Sequence, residues 1–423
     1  MKRHHRHIQT KLVIIGAGLA GFAASIFAIK RGIATMQIGH SGALAYTTGY
    51  LDLLGARRGK ILADPWAGLE ALRQDEPAHP LARLDEAEIQ KAFAQFTAAL
   101  CEMGILYSAP AEQNQMALLP AGLRKPTLSL PHTMLAGVEA AQTRANTLIL
   151  DFSGLAGFSA AEFKANFSDQ WPRIETRRLK FPDMEKGQVF PEAMARALEV
   201  PAMRTELAAR IAPYLGAACY VGLPAILGMH APDEVHRDME RLLGMPVFEI
   251  PTIPPAVPGI RLRELFERAL PERGIKLEPQ LKVQRAEVHD EGIRLFLHGP
   301  MDDLVVECKA VVLATGRFLS GGLKAGPKHL HEALFDLPLS QPETRKDWYR
   351  QDYFDPRGHR LNRAGLEVDR HLRPLGPDRK AVYERVFAAG SVLAHQDWVR
   401  QRCGAGLAIA TACRAVRSAE ETL

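Results

Sequence analysis

Closely spaced cysteines are absent from this sequence. It has five cysteines in 423 residues, and they are scattered: Cys101, Cys219, Cys308, Cys403 and Cys413. An odd and scattered set is unlike a disulfide framework and indicates a reducing compartment. Iron–sulfur clusters need thiolates close to one another. We therefore expect the chain to hold neither such a cluster nor any other metal.

A large excess of charge of either sign is also missing. The 53 basic and 48 acidic residues leave a formal charge of +5, without a long basic tract. We therefore predict no nucleic-acid binding. The small positive excess fits an anionic substrate, a cofactor phosphate or an acidic surface, and a mildly basic proteome explains it equally well. The 47% hydrophobic and 24% charged residues are typical of a soluble globular protein, and the length allows two or three domains.

Long uncharged stretches are rare, and one invites a membrane interpretation. Leu12 to Ile29 carry no charge and follow a basic leader, residues 1–6. Together they could form a signal peptide or a short membrane span. Three glycines in the middle of the stretch instead favour a strand, a turn and a helix. We expect the leader itself to be an unstructured tail.

The glycines of this stretch have the spacing GxGxxG. The apolar run Leu12 to Ile15 predicts a buried strand before them, and Leu19 to Arg31 predicts a helix after them. Glycines at this spacing permit a tight turn and a close approach to a pyrophosphate, and the helix N-terminus supplies N–H donors. The sequence therefore predicts a phosphate cradle formed by Gly16, Gly18, Leu19, Ala20 and Gly21.

The carboxylate that usually accompanies such a turn is missing. A dinucleotide site normally carries Asp or Glu about 20 residues further on, where it binds the ribose. Here the second strand, Ala34 to Ile38, runs into Gly39 and His40. Two explanations remain open: backbone groups or His40 hold the ribose of FAD, or the cofactor is FMN.

Small residues recur at four later points, each of which could contact a flat cofactor ring. They form a Ser/Gly/Thr loop, two turns that follow apolar strands, and the start of an Ala-rich helix from about Gly404 to Glu420. The helix N-terminus could stabilise negative charge on a reduced flavin. The further predicted cofactor residues are Gly39, His40, Ser41, Thr47, Thr48, Gly49, Ala314, Thr315, Gly316, Gly390, Ser391, Gly404, Ala405, Gly406 and Leu407.

The order of these elements predicts an α/β fold of the Rossmann-like, two-dinucleotide-binding flavoprotein type, with an inserted α+β cap domain. Five prolines between Leu242 and Pro258 forbid a continuous helix or a central strand there. We interpret this stretch as the return from the insertion. Residues 8–64 and 250–423 are then predicted to form a discontinuous flavin-binding domain, and residues 65–249 the cap that binds substrate.

Several runs carry a family resemblance. The chain resembles the flavoprotein superfamily of succinate dehydrogenase and fumarate reductase flavin subunits and, more closely, the B subunit of anaerobic glycerol-3-phosphate dehydrogenases. The runs are residues 18–21, 48–54, 77–80, 251–262, 318–323, 348–349, 390–393 and 403–406. The Pro-rich run and the Ser-Gly-Gly-Leu run are specific to this kind of subunit among flavoproteins.

The resemblance implies a flavin cofactor, FMN by family and FAD as the close alternative. It implies oxidation of sn-glycerol 3-phosphate, a phosphorylated polyol, to dihydroxyacetone phosphate, with electrons passed to the quinone pool in anaerobic respiration. It also implies a second flavoprotein subunit and a membrane-associated iron–sulfur subunit, which would hold the chain at the cytoplasmic face of the inner membrane. Two alternatives remain: a non-catalytic electron-relay subunit, and a dehydrogenase of a succinate-like or 2-hydroxy acid.

Catalytic residues are harder to assign. Oxidation of an alcohol carbon needs a base near the hydroxyl and cations for the phosphate. His395 follows the Gly390 turn and could face the flavin. The candidates for an anion clamp, each next to a motif, are Arg261, Arg317, Lys324 and Arg402. A salt bridge is the simpler explanation for each of these cations, a local partner is the simpler explanation for His395, and no residue is assigned as the base.

Overall fold

The computed structural model describes residues 4–39, 42–299 and 302–423. Its strands are β1 His4–Gln9, β2 Leu12–Ile15, β3 Thr35–Ile38, β4 Ala56–Arg57, β5 Lys60–Ile61, β6 Gln115–Leu119, β7 Leu123–Thr127, β8 Thr147–Phe152, β9 Ile174–Leu179, β10 Tyr220–Pro224, β11 Val247–Ile250, β12 Lys276–Glu278, β13 Lys282–His289, β14 Gly292–His298, β15 Asp302–Cys308, β16 Ala310–Leu313, β17 Leu323–Ala325, β18 Leu330–Glu332, β19 Leu339–Ser340, β20 Gly365–Leu366 and β21 Val386–Ala388. Its α-helices are α1 Leu19–Lys30, α2 Pro65–Asp75, α3 Glu86–Met103, α4 Leu135–Thr143, α5 Ala160–Phe167, α6 Pro191–Ala197, α7 Pro201–Ile211, α8 Pro232–Leu243, α9 Val257–Glu272, α10 Trp398–Gln401 and α11 Gly404–Glu420.

The described residues form two compact units. Unit 1 contains the described residues of the ranges 1–43, 52–96 and 266–423, and unit 2 contains residues 44–51 and 97–265. These boundaries differ from the predicted ones, because α2 and most of α3 belong to unit 1. A salt bridge between Glu88 of α3 and Arg414 of α11 helps to hold them there. That residues 65–249 bind substrate stays a prediction.

A five-stranded parallel sheet forms the centre of unit 1, in the order β12-β3-β2-β16-β21. Every residue of β2, β3 and β16 is buried, as expected of a parallel sheet that is covered on both faces. Helix α1 connects β2 to β3, and its Phe22 stacks on Phe266 of α9 with ring centroids 4.8 Å apart. The predicted strand, turn and helix between Leu12 and Arg31 are thereby confirmed.

A second sheet of unit 1 has the order β1-β15-β14-β13. Strands β13, β14 and β15 are antiparallel neighbours, and β1 pairs with β15 in parallel. The expectation that the whole leader is an unstructured tail is wrong from His4 onward, because this segment completes the edge of the sheet. The hairpin predicted between Val283 and Leu297 is confirmed.

Unit 2 contains a four-stranded parallel sheet in the order β11-β10-β8-β9 and the antiparallel hairpin β6–β7. The Pro-rich stretch that begins at Leu242 contains a strand after all. Strand β11 lies between Pro246 and Pro251 at the edge of the sheet, the position that neighbouring prolines tolerate best. The prediction that this stretch holds neither a central strand nor a continuous helix is confirmed.

Across the described ranges, no helix combines the length and apolar character that crossing a membrane requires. The uncharged stretch from Leu12 to Ile29 is divided between β2, the glycine turn and α1.

Candidate cofactor site

Four predicted cofactor segments meet at one edge of the parallel sheet in unit 1. The glycine turn follows β2, Gly39 follows β3, residues 314–316 follow β16, and residues 389–391 follow β21. These strands are neighbours and all run in the same direction. In open α/β sheets, ligands bind at the carboxyl ends of the strands. The structure therefore brings together segments that lie up to 375 residues apart, counting from Gly16 to Ser391.

The contacts between these segments are too close for side chains. Gly16 has φ +141°, and a Cβ there would lie 2.0 Å from the carbonyl oxygen of Ala314. A Cβ on Gly21 would lie 2.1 Å from the carbonyl oxygen of Gly16, and one on Gly39 would lie 2.6 Å from the amide nitrogen of Ala17. Glycine at these positions is a steric requirement of the turn.

Gly18 differs from these glycines. It is the N-cap of α1, with φ −91° and ψ −177°, and a Cβ there would meet no described atom within 4 Å apart from those of its chain neighbours and its own helix. No side chain of the described residues caps this helix, and its first turn has no acidic residue. The first amides of a helix need an outside partner, and a phosphate is a suitable one. The uncapped end with open space in front of it fits the pyrophosphate of a flavin dinucleotide.

Gln37 holds the turn from behind. Its Nε2 donates to the carbonyl oxygen of Gly16 at 2.8 Å, and its Oε1 accepts from Ser25 Oγ at 2.7 Å. Gln37 and Ser25 are both buried. Sequence reasoning noted Gln37 only as part of a strand without a carboxylate and missed this role. His40 and Ser41, predicted to contact the cofactor, lie outside the described residues.

The turn after β21 adjoins α1, and the turn after β16 lies beside it. Gly390 has φ +77°, and a Cβ there would lie 2.7 Å from Cβ of Ala20 in the first turn of α1. Gly316 has φ +65°, and a Cβ there would lie 3.9 Å from Ser391 Oγ. The Thr315 hydroxyl is buried and has no hydrogen-bond partner in the described part of the chain. Since buried polar groups nearly always have a partner, this hydroxyl fits a site that a polar ligand completes.

The start of α11 is already occupied by a side chain of this chain. The Asp52 carboxylate accepts from the amide of Ala405 at 3.0 Å, and the Asp52 carbonyl oxygen accepts from the amide of Gly406 at 2.6 Å. Leu407 is fully buried, and its amide donates to Cys403. These amides therefore donate within the protein, and stabilisation of a reduced flavin by this helix end stays a prediction. Sequence reasoning missed Asp52 as the capping residue.

Three predicted residues, Thr47, Thr48 and Gly49, belong to unit 2. Thr47 Oγ1 donates to the carbonyl oxygen of Leu44 at 2.9 Å, and the Tyr107 hydroxyl donates to the carbonyl oxygen of Gly49 at 2.8 Å. Their contact with a cofactor stays a prediction.

Arg261, a catalytic candidate, is a buried structural residue. Its Nη1 and Nη2 donate to the Glu249 carboxylate at 2.6 and 2.7 Å, and its Nε donates to the carbonyl oxygen of Gly228 at 2.7 Å. Glu249 also accepts from Thr133 Oγ1 and from the amide of Leu227. The guanidinium of Arg261 is committed to this network, which favours the salt-bridge explanation over a substrate clamp.

Arg317 is also committed to local partners. Its guanidinium donates to the carbonyl oxygens of Leu361, at 2.6 Å, and of Asn362. Burial lowers its pKa to about 10, so the side chain remains a cation at neutral pH. Its Nη1 and Nη2 bind backbone carbonyls, and a role of Arg317 as an anion clamp stays a prediction. Lys324 is exposed on β17, and Arg402 forms the left-handed C-cap of α10.

His395 keeps one ring nitrogen without a hydrogen bond from the described residues. The residue has φ +64°, its amide donates to the carbonyl oxygen of Arg363 at 2.8 Å, and its Nε2 is buried. The nearest carboxylate oxygen, Glu367 Oε1, lies 3.7 Å from Nε2 and accepts from Arg379. Burial lowers the pKa of His395, which favours the neutral ring. Its catalytic role stays a prediction.

A buried histidine that sequence reasoning left without a role is His79. The amide of Leu81 donates to its Nδ1 at 3.1 Å, so Nε2 carries the proton and donates to Gln401 Oε1 at 3.2 Å. Burial lowers the pKa of His79 to about 3. The neutral ring joins a short turn to the segment before α11. Among the described residues, no group of three or more His, Cys, Asp or Glu could hold a metal.

Similarity to known proteins agrees with this geometry. The B subunit of the anaerobic glycerol-3-phosphate dehydrogenase of Aliivibrio fischeri is 28% identical over an alignment 451 residues long, gaps included. The alignment covers 97% of this chain and 95% of that protein. The same subunit of Pectobacterium carotovorum subsp. carotovorum is 29% identical over 411 residues, with 95% and 96% covered. The resemblance found in the sequence is confirmed.

The 3-ketosteroid delta1-dehydrogenase of Sterolibacterium denitrificans aligns over 98% of this chain and 100% of its own, with 10% identity and a TM-score of 0.46. Residues 11–407 match the family described as the FAD binding domain. This family and the relatives support a flavin-dependent oxidoreductase, and they give no support to FMN as the first choice of flavin. Because the match spans nearly the whole sequence and the glycine turn lies at the carboxyl edge of a parallel sheet, this chain belongs to the FAD binding domain family of flavoproteins.

Proposed function

We propose that this chain is the FAD-containing B subunit of a quinone-linked dehydrogenase that oxidises sn-glycerol 3-phosphate to dihydroxyacetone phosphate. Its electrons pass to the quinone pool through a second flavoprotein subunit and an iron–sulfur subunit, which also hold it at the cytoplasmic face of the inner membrane. Relatives of this name that are 28 and 29% identical, and nearly equal in length to this chain, support the proposal.

The uncapped N-terminus of α1 is the observation that carries the proposal. Its amides, beginning at Leu19 and Ala20, lie beside the open space at Gly18 and would hold the cofactor phosphates. The hydroxyl of Thr315, which no described residue bonds, would complete the polar contacts at the neighbouring strand end. FAD is the preferred flavin because the matching family is an FAD binding domain.

A bound flavin would supply the acceptor for the hydride of the alcohol carbon, which carries both electrons of the oxidation. This chain would supply the proton acceptor at His395 Nε2, which has no hydrogen-bond partner in the described ranges. Its lowered pKa keeps the ring neutral at physiological pH, as general-base catalysis requires. Glu367, at 3.7 Å from that nitrogen, would stabilise the imidazolium that forms.

A second candidate function is electron relay without substrate chemistry. The observation that favours it is the commitment of Arg261 to Glu249 and of Arg317 to backbone carbonyls. These contacts leave the anion clamp unassigned. A dehydrogenase of a succinate-like or 2-hydroxy acid remains a third candidate, and reduction of the flavin by a small substrate panel separates it from the first.

The test is glycerol 3-phosphate oxidation with an artificial acceptor, using the reconstituted complex with and without this chain. We expect activity to require this chain, and we expect His395→Asn to lower kcat by roughly two orders of magnitude or more with its bound flavin retained. Full activity from the partner subunits alone would exclude the proposal. Dependence on the chain together with unchanged activity of His395→Asn would favour the relay.

A further inference from the structure

Unit 1 exposes three large rings within six residues. The exposed fractions are 61% for Tyr349, 74% for Tyr353 and 83% for Phe354. Aromatic side chains of this size each bury 150–250 Å² when fully covered, so these rings leave on the order of 400 Å² in solvent. This is comparable to the largest apolar patch of a typical monomer, which is often functional, and to about half of one side of a standard protein interface.

The rings are held by a buried residue. His359 is 7% exposed, and its ring centroid lies 5.5 Å from that of Tyr349 and 5.8 Å from that of Tyr353. The amide of Arg350 donates to His359 Nδ1 at 3.0 Å, which fixes the imidazole. The Arg400 guanidinium donates to the carbonyl oxygen of Tyr353 at 3.3 Å. A surface whose aromatic rings are already positioned loses little conformational freedom when a partner binds.

Two cations lie beside the rings. Lys346 and Arg360 line the same groove of about 610 Å³ as Tyr349, and neither forms a hydrogen bond or ion pair with any residue in the described ranges. The groove's Asp355 carboxylate, in contrast, is bound by Arg357 at 2.6 Å. The four cations and three aspartates that line the groove leave a net charge of +1. Asp347 and Asp352 accept hydrogen bonds from Thr344 Oγ1 and from the amide of Phe354, so the charged side chains of the groove without a described partner are the two cations.

We propose that this aromatic–basic surface, formed by Tyr349, Tyr353, Phe354, Lys346 and Arg360, docks another protein subunit of the dehydrogenase, one that presents apolar side chains flanked by carboxylates. Tyr, Phe and Arg are enriched in the cores of such interfaces, and the two cations would pair with the carboxylates. An anionic lipid surface is a poorer fit, because the groove has a net charge of only +1, whereas attraction to such a surface comes from clusters of several Lys and Arg. The inference rests on the proposed function for the identity of the partner.

The experiment measures binding of the full-length chain, with its flavin, to the second flavoprotein subunit and to the iron–sulfur subunit of the same organism. One variant carries Tyr353→Ser and Phe354→Ser, and another carries Lys346→Glu and Arg360→Glu. Phe190→Ser and Lys186→Glu are matched controls, since Phe190 is 56% exposed and Lys186 is exposed, both in unit 2. We expect each double variant to bind one of the two subunits at least about tenfold more weakly, with unchanged flavin content and melting temperature.

Binding of the parent chain tests the proposed function, and binding of the variants tests the docking surface. If the parent chain binds a subunit and both double variants bind it as tightly as the controls do, the surface is not the interface. If the parent chain binds neither subunit, the partner is wrong and the proposed function fails with it. Sedimentation with vesicles of phosphatidylglycerol and phosphatidylethanolamine tests the lipid alternative. The proposal is overturned if the parent chain sediments with the vesicles in the absence of other subunits, and the Tyr353→Ser and Phe354→Ser variant no longer does so but still binds the subunits as tightly as the parent.

Discussion

At the residue scale, Gly18 is a position where the fold tolerates a side chain but the proposed cofactor site does not tolerate a negative one. Apart from its chain neighbours and its own helix, no described residue comes within 4 Å of a Cβ placed there, so Gly18→Ala should fold normally. Gly18→Asp would place a carboxylate where the cofactor phosphates are proposed to lie. We expect it to weaken flavin binding by at least about tenfold while the melting temperature of the flavin-free protein stays close to that of Gly18→Ala. Fluorescence titration measures the flavin affinity of the two variants. Equal affinities would show that the cofactor phosphates do not lie at this position.

The hydrogen bonds of Gln37 lead to a prediction about the stability of the fold. Gln37→Leu would leave the carbonyl oxygen of Gly16 and the hydroxyl of Ser25 without their partner. An unsatisfied buried polar group costs about 1–3 kcal/mol, so the free energy of unfolding in urea should fall by about that amount. Gln90→Leu is the control, because Gln90 is exposed and bonds to Glu86 of its own helix. If Gln37→Leu loses no more unfolding free energy than the control does, the hydrogen bonds of Gln37 to Gly16 and Ser25 contribute little to stability.

The burial of His79 leads to a prediction about how the free energy of unfolding depends on pH. Burial lowers its pKa to about 3 in the folded chain, against about 6.5 for an unfolded chain. The fold therefore favours the neutral ring, and this stability is complete above about pH 6.5 and lost as the pH falls from about 6.5 toward 3. Loss of the histidine in His79→Gln should flatten the decline of the unfolding free energy by up to about 1.4 kcal/mol per pH unit. Urea unfolding between pH 4 and pH 7 measures this, with exposed His329→Gln as the control. Parallel curves for the parent and His79→Gln would contradict the assignment.

At the element scale, the sequence predicted best what depends on neighbouring residues. The strand Leu12–Ile15 and the helix Gly404–Glu420 have the predicted bounds, because a short apolar run and a stretch of small helix-forming residues are local patterns. The capping of that helix by Asp52 could not be predicted, since Asp52 and Ala405 are 353 residues apart. Charge alone also cannot show whether an arginine near a motif faces a ligand or a buried glutamate.

The buried pair of α9 and β11 illustrates this. Arg261 is 3% exposed and Glu249 is 1% exposed. Arg261→Met would leave the Glu249 carboxylate buried without its cation, which costs about 3–5 kcal/mol. The control is Arg196→Met, because the Arg196 side chain is 42% exposed in its pairs with Glu192 and Glu264, and exposed pairs of this kind contribute less than about 1 kcal/mol each. Urea unfolding compares the two variants. Similar losses would mean that Arg261 is not the structural residue described above.

At the scale of the whole molecule, the sequence order identified a flavoprotein but placed the boundaries of its units differently. The predicted insertion began at residue 65, whereas the described chain returns to unit 1 from residue 52 to residue 96. Contacts between helices distant in sequence, such as that of Phe96 with Phe266 at 6.3 Å, decide this grouping. Composition and proline content mark where a helix or strand ends, but they do not show which core its side chains join.

The central claim is that the glycine turn and the strand ends beside it hold FAD. The most direct test releases the cofactor from the purified chain by denaturation, separates FAD from FMN by chromatography and measures the amount per chain. We predict FAD, at about one per chain when the site is saturated with added flavin. FMN as the released flavin, or a chain that binds no flavin under these conditions, would contradict this claim.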